Sequence, residues 1–123
     1  MLTQPFEDWV RNADVLRVVD GDTLDLIVDL GLGIFASQRV VLARINAPER
    51  TTMEGMQVET FLRDVFLLVK RVTVKLERNP ITRDRDQGRP FTAEIWLDNG
   101  ENLSDIMVSR GLVSLREDNE RVR

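Results

Sequence analysis

Two stretches rich in apolar residues flank the tripeptide Asp20-Gly21-Asp22. In the second stretch the apolar residues recur at every other position, a period of two that is typical of a half-buried β-strand. These residues are Leu24, Leu26, Val28 and Leu30. An Asp-Gly pair between two such runs favours a hairpin, because glycine tolerates the positive φ that a tight turn requires. The pattern therefore predicts strands over residues 15–19 and 23–30, joined by a turn.

Further along the chain, one segment rich in Val and Leu, two alternating segments and two helical patterns follow. The strands are predicted over residues 39–45, 72–77 and 91–97. Between the first two of these, apolar residues with helical spacing predict a helix, and Thr51-x-x-Glu54 before it has the form of a capping box. A short helix is predicted from Leu103, ending near Gly111 as its terminating glycine.

This order of elements predicts an α+β, mainly β fold. Five short strands that curl around one core, with a helix between strands three and four and a short helix after strand five, give the layout of a five-stranded OB-fold barrel. The chain has 123 residues, which suits one domain. We expect an N-terminal extension over residues 1–14, the barrel domain over 15–115 and a charged tail over 116–123.

Composition excludes several kinds of chemistry. The sequence has no cysteine and no histidine. Disulfides, thiolate metal sites and cysteine nucleophiles are therefore excluded, as are imidazole metal ligands and a Ser-His-Asp triad. Any reaction must use carboxylates, Lys or Arg side chains, hydroxyls and backbone groups.

The distribution of charge is uneven. The formal net charge is −4, yet residues 39–89 contain eleven basic and seven acidic side chains. This locally basic segment is suited to contact with phosphates, although many of its arginines are equally explained as solvated surface residues. The chain starts without the pattern of a signal peptide, and no apolar run approaches the length of a membrane span. We expect a cytoplasmic protein that does not bind membranes.

Four short motifs together resemble the staphylococcal nuclease (thermonuclease-like) family. They are Val18-Val19-Asp20-Gly21-Asp22-Thr23, Ile45-Asn46-Ala47-Pro48-Glu49, Gly88-Arg89 and Ser109-Arg110-Gly111-Leu112. Each motif is weak alone, but the four occur in the family's order and span nearly the whole predicted domain. The resemblance implies an OB-type barrel and Ca²⁺-dependent hydrolysis of phosphodiester bonds in DNA or RNA.

The resemblance also implies roles for individual residues. Asp22 matches the carboxylate that holds the metal ion, Asn46 occupies a second metal position, and the backbone carbonyl of Ala47 matches a main-chain ligand. Glu49 matches the carboxylate that activates the attacking water. Arg89 matches the second of two arginines that clamp the phosphate. These residue types suit the reaction, because a hard cation and an arginine fork both stabilise charge that develops on phosphoryl oxygens.

Three features depart from the family's pattern: Val41, Asn46 and the absence of tyrosine, which the family's best-known member places beside the bound nucleotide. Val41 stands where the first phosphate-clamping arginine belongs, and valine cannot donate a hydrogen bond. Arg39, on the same strand face, and Arg85, in the charged segment, are the candidates for binding substrate, whereas Arg44 lies on the opposite face. Asn46 replaces an aspartate, so it brings no charge and weakens Ca²⁺ binding.

Plainer interpretations stay open at this stage. Asp20-Gly21-Asp22 is also explained as a simple hairpin turn, Glu49 as a charge that favours a helix N-terminus, and Arg89 as a solvated loop residue. The sequence therefore allows a weakened nuclease, an impaired barrel that still binds nucleic acid, or a scaffold in which Val41 has replaced an arginine by deliberate mutation. We expect a monomer that acts on DNA or RNA without a protein partner.

Overall fold

The computed structural model describes residues 10–78 and 91–116. Its elements are β1 (Val10–Asp20), β2 (Thr23–Gly31), β3 (Ile34–Leu42), β4 (Ile45–Asn46), α1 (Met53–Leu68), β5 (Arg71–Arg78), β6 (Phe91–Trp96), α2 (Leu103–Ser109) and β7 (Ser114–Leu115). Five strands close into a barrel in the order β1-β2-β3-β6-β5, and β4 pairs with β7 in a separate two-stranded sheet. The predicted mainly β barrel with two helices is confirmed.

The barrel closes through one parallel and four antiparallel strand pairs. β3 and β6 run parallel, with Val40 opposite Phe91, whereas β1 runs antiparallel to both β2 and β5. Closure removes the exposed sheet edges that would otherwise favour aggregation. The inward positions of the strands fill the core, as the alternating pattern predicts, and fully buried members include Leu24, Leu26, Val40, Leu42, Val74 and Ile95.

Two strands have different bounds from those predicted. β1 begins at Val10 rather than at residue 15, because residues 10–14 pair with β5. β3 runs over Ile34–Leu42 rather than 39–45. It starts directly after a tight turn in which Gly31, Leu32 and Gly33 all have positive φ, and Arg44 at φ 67° separates it from β4.

The predicted helix between the third and fourth barrel strands is present as α1, but its cap is one residue later than expected. The Thr52 side chain, not that of Thr51, accepts a hydrogen bond from the Gly55 amide at 3.0 Å. The predicted capping box is therefore wrong, although a threonine does cap the helix. Val58, Leu62 and Phe66 pack the apolar face of α1 onto the barrel core.

α2 connects the barrel to the small sheet. The Asn102 side chain caps its start by accepting from the Asp105 amide at 3.0 Å. At its end, the Gly111 amide donates to the Val108 carbonyl and the Leu112 amide to the Met107 carbonyl, which is a Schellman motif. The predicted terminating glycine is confirmed. Neither helix within the described ranges has the length and apolar character of a membrane span.

Candidate active site

The β1–β2 turn brings two carboxylates together. The Asp22 amide donates to Asp20 Oδ1 at 3.2 Å, and Thr23 Oγ1 donates to Asp22 Oδ1 at 2.9 Å. Burial acts to raise the pKa of Asp20, but contacts with Asp22 and Thr23 and the charge of Arg50 outweigh it, so this pKa lies below its usual value. Both carboxylates are half-buried. The turn thus presents a concentrated negative charge on a fixed backbone.

The same turn packs against the segment that carries the second motif. Gly21 is buried, and a Cβ atom placed there would lie 3.2 Å from the Ala47 side chain and 3.2 Å from Val58. The Leu42 amide donates to the Asp22 carbonyl at 2.7 Å, which fixes the turn to the end of β3. Two motifs far apart in sequence are therefore in contact.

Glu49 lies at the entrance to α1. Its carbonyl accepts from the amide of Thr52 at 3.0 Å and from the hydroxyl of Thr52 at 2.7 Å, while its side chain is exposed. Gly55 in the first turn of α1 is buried against this backbone, and a Cβ atom there would lie 2.0 Å from the Glu49 carbonyl oxygen. The backbone at Glu49 is thus fixed by the helix, with its carboxylate directed to solvent.

Arg50 is a feature of the site that sequence reasoning missed. Its Nε atom lies 3.3 Å from Glu59 Oε2, and Arg63 Nη1 donates to Glu59 Oε1 at 3.0 Å. The Glu59 side chain is nearly buried. A signal existed in the sequence, since Glu59 interrupts the buried side of α1 next to Val58 and so requires a cationic partner. Arg50 is held beside the turn, where its charge lowers the pKa of Asp20.

Asn46 and Ala47 border a surface groove of about 410 Å³. Asn46 pairs through its backbone with Ser114 in the small sheet, and its side chain is exposed. The groove continues along Glu54 and Gln57 of α1 and along residues 111–114. Asn46 and Ala47 therefore lie at an open surface next to the start of α1.

Val41 faces outward from the barrel, opposite Thr23 on β2 and Thr92 on β6. It is 7% exposed. Arg39 lies on the same face, as strand parity predicts, but its guanidinium binds Asp25: Nε donates to Oδ1 at 2.7 Å and Nη2 to Oδ2 at 3.1 Å. Arg39 is thus held at its own position rather than extended towards Val41.

The Arg44 side chain forms its hydrogen bonds with residues of β6 and α2, including the α2 cap. Its guanidinium binds Glu94 and also donates to Asn102 at 3.3 Å and to Asp105 at 3.1 Å. It therefore ties the end of β3 to β6 and α2. Arg85 and Arg89, predicted to contact substrate, lie outside the described residues.

The residues at the turn are oxygen donors of the kind that a hard cation binds, and together they carry few negative charges. Asp20 and Asp22 provide two adjacent carboxylates, and Asn46 and the Ala47 carbonyl are neutral oxygen donors of the kind that Ca²⁺ accepts. Across residues 10–78 and 91–116, no three acidic side chains converge to form a metal site. A set with only two carboxylates would hold Ca²⁺ weakly.

A family model described as staphylococcal nuclease homologue matches residues 39–122, which is more than half of the chain. The match includes Val41, the segment that carries Asn46, Ala47 and Glu49, and both helices, and it begins after the Asp20–Asp22 turn. No curated protein sequence matches the chain.

Proposed function

We propose that this chain, which belongs to the staphylococcal nuclease homologue family, hydrolyses phosphodiester bonds of DNA or RNA with the help of Ca²⁺. The observation that carries the proposal is the contact between the carboxylate turn and the Glu49 segment, where the Gly21 backbone meets the Ala47 side chain. In the proposed site, this contact would bring the carboxylates for a cation, the carboxylate for water and the start of α1 to one surface.

Asp22 would hold the metal ion together with the Ala47 carbonyl and the amide oxygen of Asn46, and Asp20 adds a second carboxylate from the same turn. When bound, Ca²⁺ would polarise the phosphoryl group and stabilise its negative charge. Asn46 contributes no charge where the family has an aspartate. We therefore expect a dissociation constant in the range of roughly 10⁻⁴–10⁻³ M, typical of weak oxygen sites.

Glu49 takes a proton from the attacking water. Its side chain is exposed, and its backbone is fixed by Thr52. A carboxylate held in this way can act as a general base when the water lies within hydrogen-bonding distance. By family resemblance Arg89 clamps the phosphate. Arg39, on the strand face of Val41, and Arg85, in the charged segment, would bind the substrate backbone.

Val41 limits the rate of this reaction. Loss of one donor to a developing oxyanion costs about 10²–10³ in rate, and loss of an arginine that acts on a phosphoryl group costs up to about 10³–10⁵. The proposed enzyme is thus a weak nuclease. If catalytic activity is lost completely, the second candidate function is a barrel that binds nucleic acid without cleaving it. The side chains of Val41 and Asn46 favour this alternative, because neither supplies the charge found at that position in the family.

A cleavage assay separates the two functions. Single-stranded DNA and RNA are incubated with the protein in Ca²⁺ or in EDTA, alongside the variants Glu49→Gln and Asp64→Asn. Asp64 is an exposed residue of α1, so its variant removes the same negative charge at a position outside the site. Cleavage that needs Ca²⁺ and is lost only in Glu49→Gln supports the nuclease. Absent cleavage with salt-dependent binding in EDTA supports the binding module, and absence of both refutes the proposal.

A further inference from the structure

Three charged residues form a row across the outer face of the barrel. Arg17 on β1 lies opposite Asp25 on β2, and Asp25 lies opposite Arg39 on β3. Arg17 donates from Nε at 3.1 Å and from Nη2 at 2.8 Å to Asp25 Oδ2. Because Arg39 binds the same carboxylate through both of its oxygens, one aspartate holds two guanidinium groups in fixed positions.

The row lies next to the candidate active site. Asp25 and Arg39 are one alternate position away from the pair formed by Thr23 and Val41, which is about 6–7 Å along the strands. The hydrogen bonds with Asp25 raise the pKa of Arg39, and the charge of Asp20 in the turn adds a weaker contribution. The row is therefore within electrostatic range of the carboxylate turn, on the face where position 41 lies.

The row contains two arginines and one aspartate, so it has a surplus positive charge and hydrogen-bond donors with which it can bind an anion. One arginine suffices to neutralise Asp25, whose side chain is only 12% exposed, so the second leaves a surplus of one positive charge. The side chains of Arg17 and Arg39 are 63% and 44% exposed. Asp25 engages Nε and Nη2 of each, and the Nη1 group of each arginine has no hydrogen-bond partner within the described part of the chain.

A groove of about 280 Å³ passes over this row. Besides the three charged residues, it is bordered by the polar side chains of Ser37 and Gln38 and by Leu16, which is 57% exposed. A groove with fixed cationic donors and polar or apolar walls is suited to a sugar-phosphate backbone. A purely structural ion pair would need neither the second arginine nor the open groove.

We propose that the Arg17–Asp25–Arg39 row binds a backbone phosphate of single-stranded nucleic acid next to the phosphodiester bond that is cleaved. Arg17 and Arg39 contact the phosphate, and Asp25 is a positioning residue that holds both guanidinium groups. The inference rests on the proposed function, because nucleic acid is the ligand that the neighbouring site would present to this groove.

The test measures binding of labelled oligothymidylate in EDTA at several salt concentrations. We compare Arg17→Gln and Arg39→Gln with Arg71→Gln, a matched control in which an exposed strand arginine loses its ion pair with Asp14. Each single substitution in the row leaves Asp25 one partner, and circular dichroism verifies folding. Each contact with single-stranded nucleic acid contributes about 0.7 to the salt slope. Both row variants should lower this slope by about 0.7 and weaken binding roughly five- to tenfold at low salt.

Amide shifts in an NMR titration provide a second measurement that does not depend on any variant. Adding oligothymidylate to the unaltered protein should shift the amides of Arg17, Asp25 and Arg39 together. The inference is overturned if these amides do not move, or if the row variants and Arg71→Gln change the salt slope equally. In either case, Ca²⁺-dependent cleavage would leave the proposed nuclease standing. Absence of nucleic-acid binding alone would overturn the inference, and absence of both binding and cleavage would overturn both proposals.

Discussion

Gly55 provides the most direct test of how the helix positions Glu49. A Cβ atom at Gly55 would lie 2.0 Å from the Glu49 carbonyl oxygen, 2.7 Å from the Glu49 carbonyl carbon and 2.8 Å from the Arg50 Cα. All three are backbone atoms, so no side chain can rotate away. In Gly55→Ala, either the first turn of α1 or the Glu49–Arg50 backbone must therefore move by more than about 1 Å to restore van der Waals contact.

Two effects of opposite sign determine the stability of this variant. Helix propensity alone favours alanine over glycine by up to about 1 kcal/mol. Overpacking against a fixed backbone costs about 1–3 kcal/mol. We expect a net loss of about 1–2 kcal/mol in the free energy of unfolding, or roughly 4–8 °C in Tm for a chain of this size. A displacement of about 1 Å at a catalytic group can lower the rate by about 10²-fold.

Denaturant unfolding, hydrogen exchange at the Thr52 amide and Ca²⁺-dependent cleavage are measured on the same preparations. The Thr52 amide reports the displacement, because it donates to the Glu49 carbonyl. Met56→Ala is the control. Met56 is an exposed neighbour of Gly55 on α1, and methionine and alanine both favour helices. A Gly55→Ala protein that is more stable than the unaltered chain, with unchanged exchange at Thr52, would refute the packing argument.

Three further predictions concern the site and its surroundings. Val41→Arg should raise the rate of Ca²⁺-dependent cleavage at least about tenfold, and an unchanged rate would contradict the assignment of position 41. Hydrogen bonds from Arg39 and Arg17 lower the pKa of Asp25 to about 2, so stability should fall as the pH drops from about 4 to 2. After allowance for solvent screening this effect is on the order of 1 kcal/mol, and denaturant unfolding of Asp25→Asn across that range should lack it. Finally, Ca²⁺ at about ten times its dissociation constant should stabilise the protein by about 1.4 kcal/mol in thermal unfolding, and Asp22→Asn should abolish this stabilisation.

Local patterns in the sequence were sufficient to predict most of the barrel. Alternation along residues 23–30 places Leu24 and Leu26 in the core because the strand has only two faces. A turn does lie at Gly21, but the reason given for its glycine was wrong: Gly21 does not have positive φ, and its missing side chain instead allows close packing against Ala47 and Val58. The start of β1 could not be predicted in this way. Residues 10–14 form a strand because β5, some sixty positions later, offers them partners, and local pattern carries no information about such pairing.

In the candidate site, too, the features within one short segment could be predicted from the sequence, and the contacts between distant segments could not. The family motifs point to Asp22, Glu49 and Asn46 because these residues belong to short contiguous segments. The ion-pair clusters around Asp25 and Glu59 were missed, since each joins residues from different elements. Only the register of β1, β2 and β3 places Arg17 and Arg39 on either side of one carboxylate. Sequence reasoning identified Arg39 but not the aspartate that determines where its guanidinium lies.

Arg17 and Arg39 lie at different positions from residue 41, so they would contribute to substrate binding, whereas an arginine at position 41 would contribute to transition-state stabilisation. Asp25 fixes both guanidinium groups. In the proposed complex, Arg17 and Arg39 would lie beside the reacting phosphate rather than on it, and so would bind the substrate and the transition state equally. Interactions of this kind lower KM and leave kcat unchanged, whereas a guanidinium at position 41 would act on charge that develops only in the transition state. Arg17→Gln and Arg39→Gln should therefore raise KM at constant kcat, and Val41→Arg should raise kcat. If a row variant lowered kcat as strongly as it lowered kcat/KM, Arg39 would belong to the catalytic machinery and would itself supply the arginine that position 41 lacks.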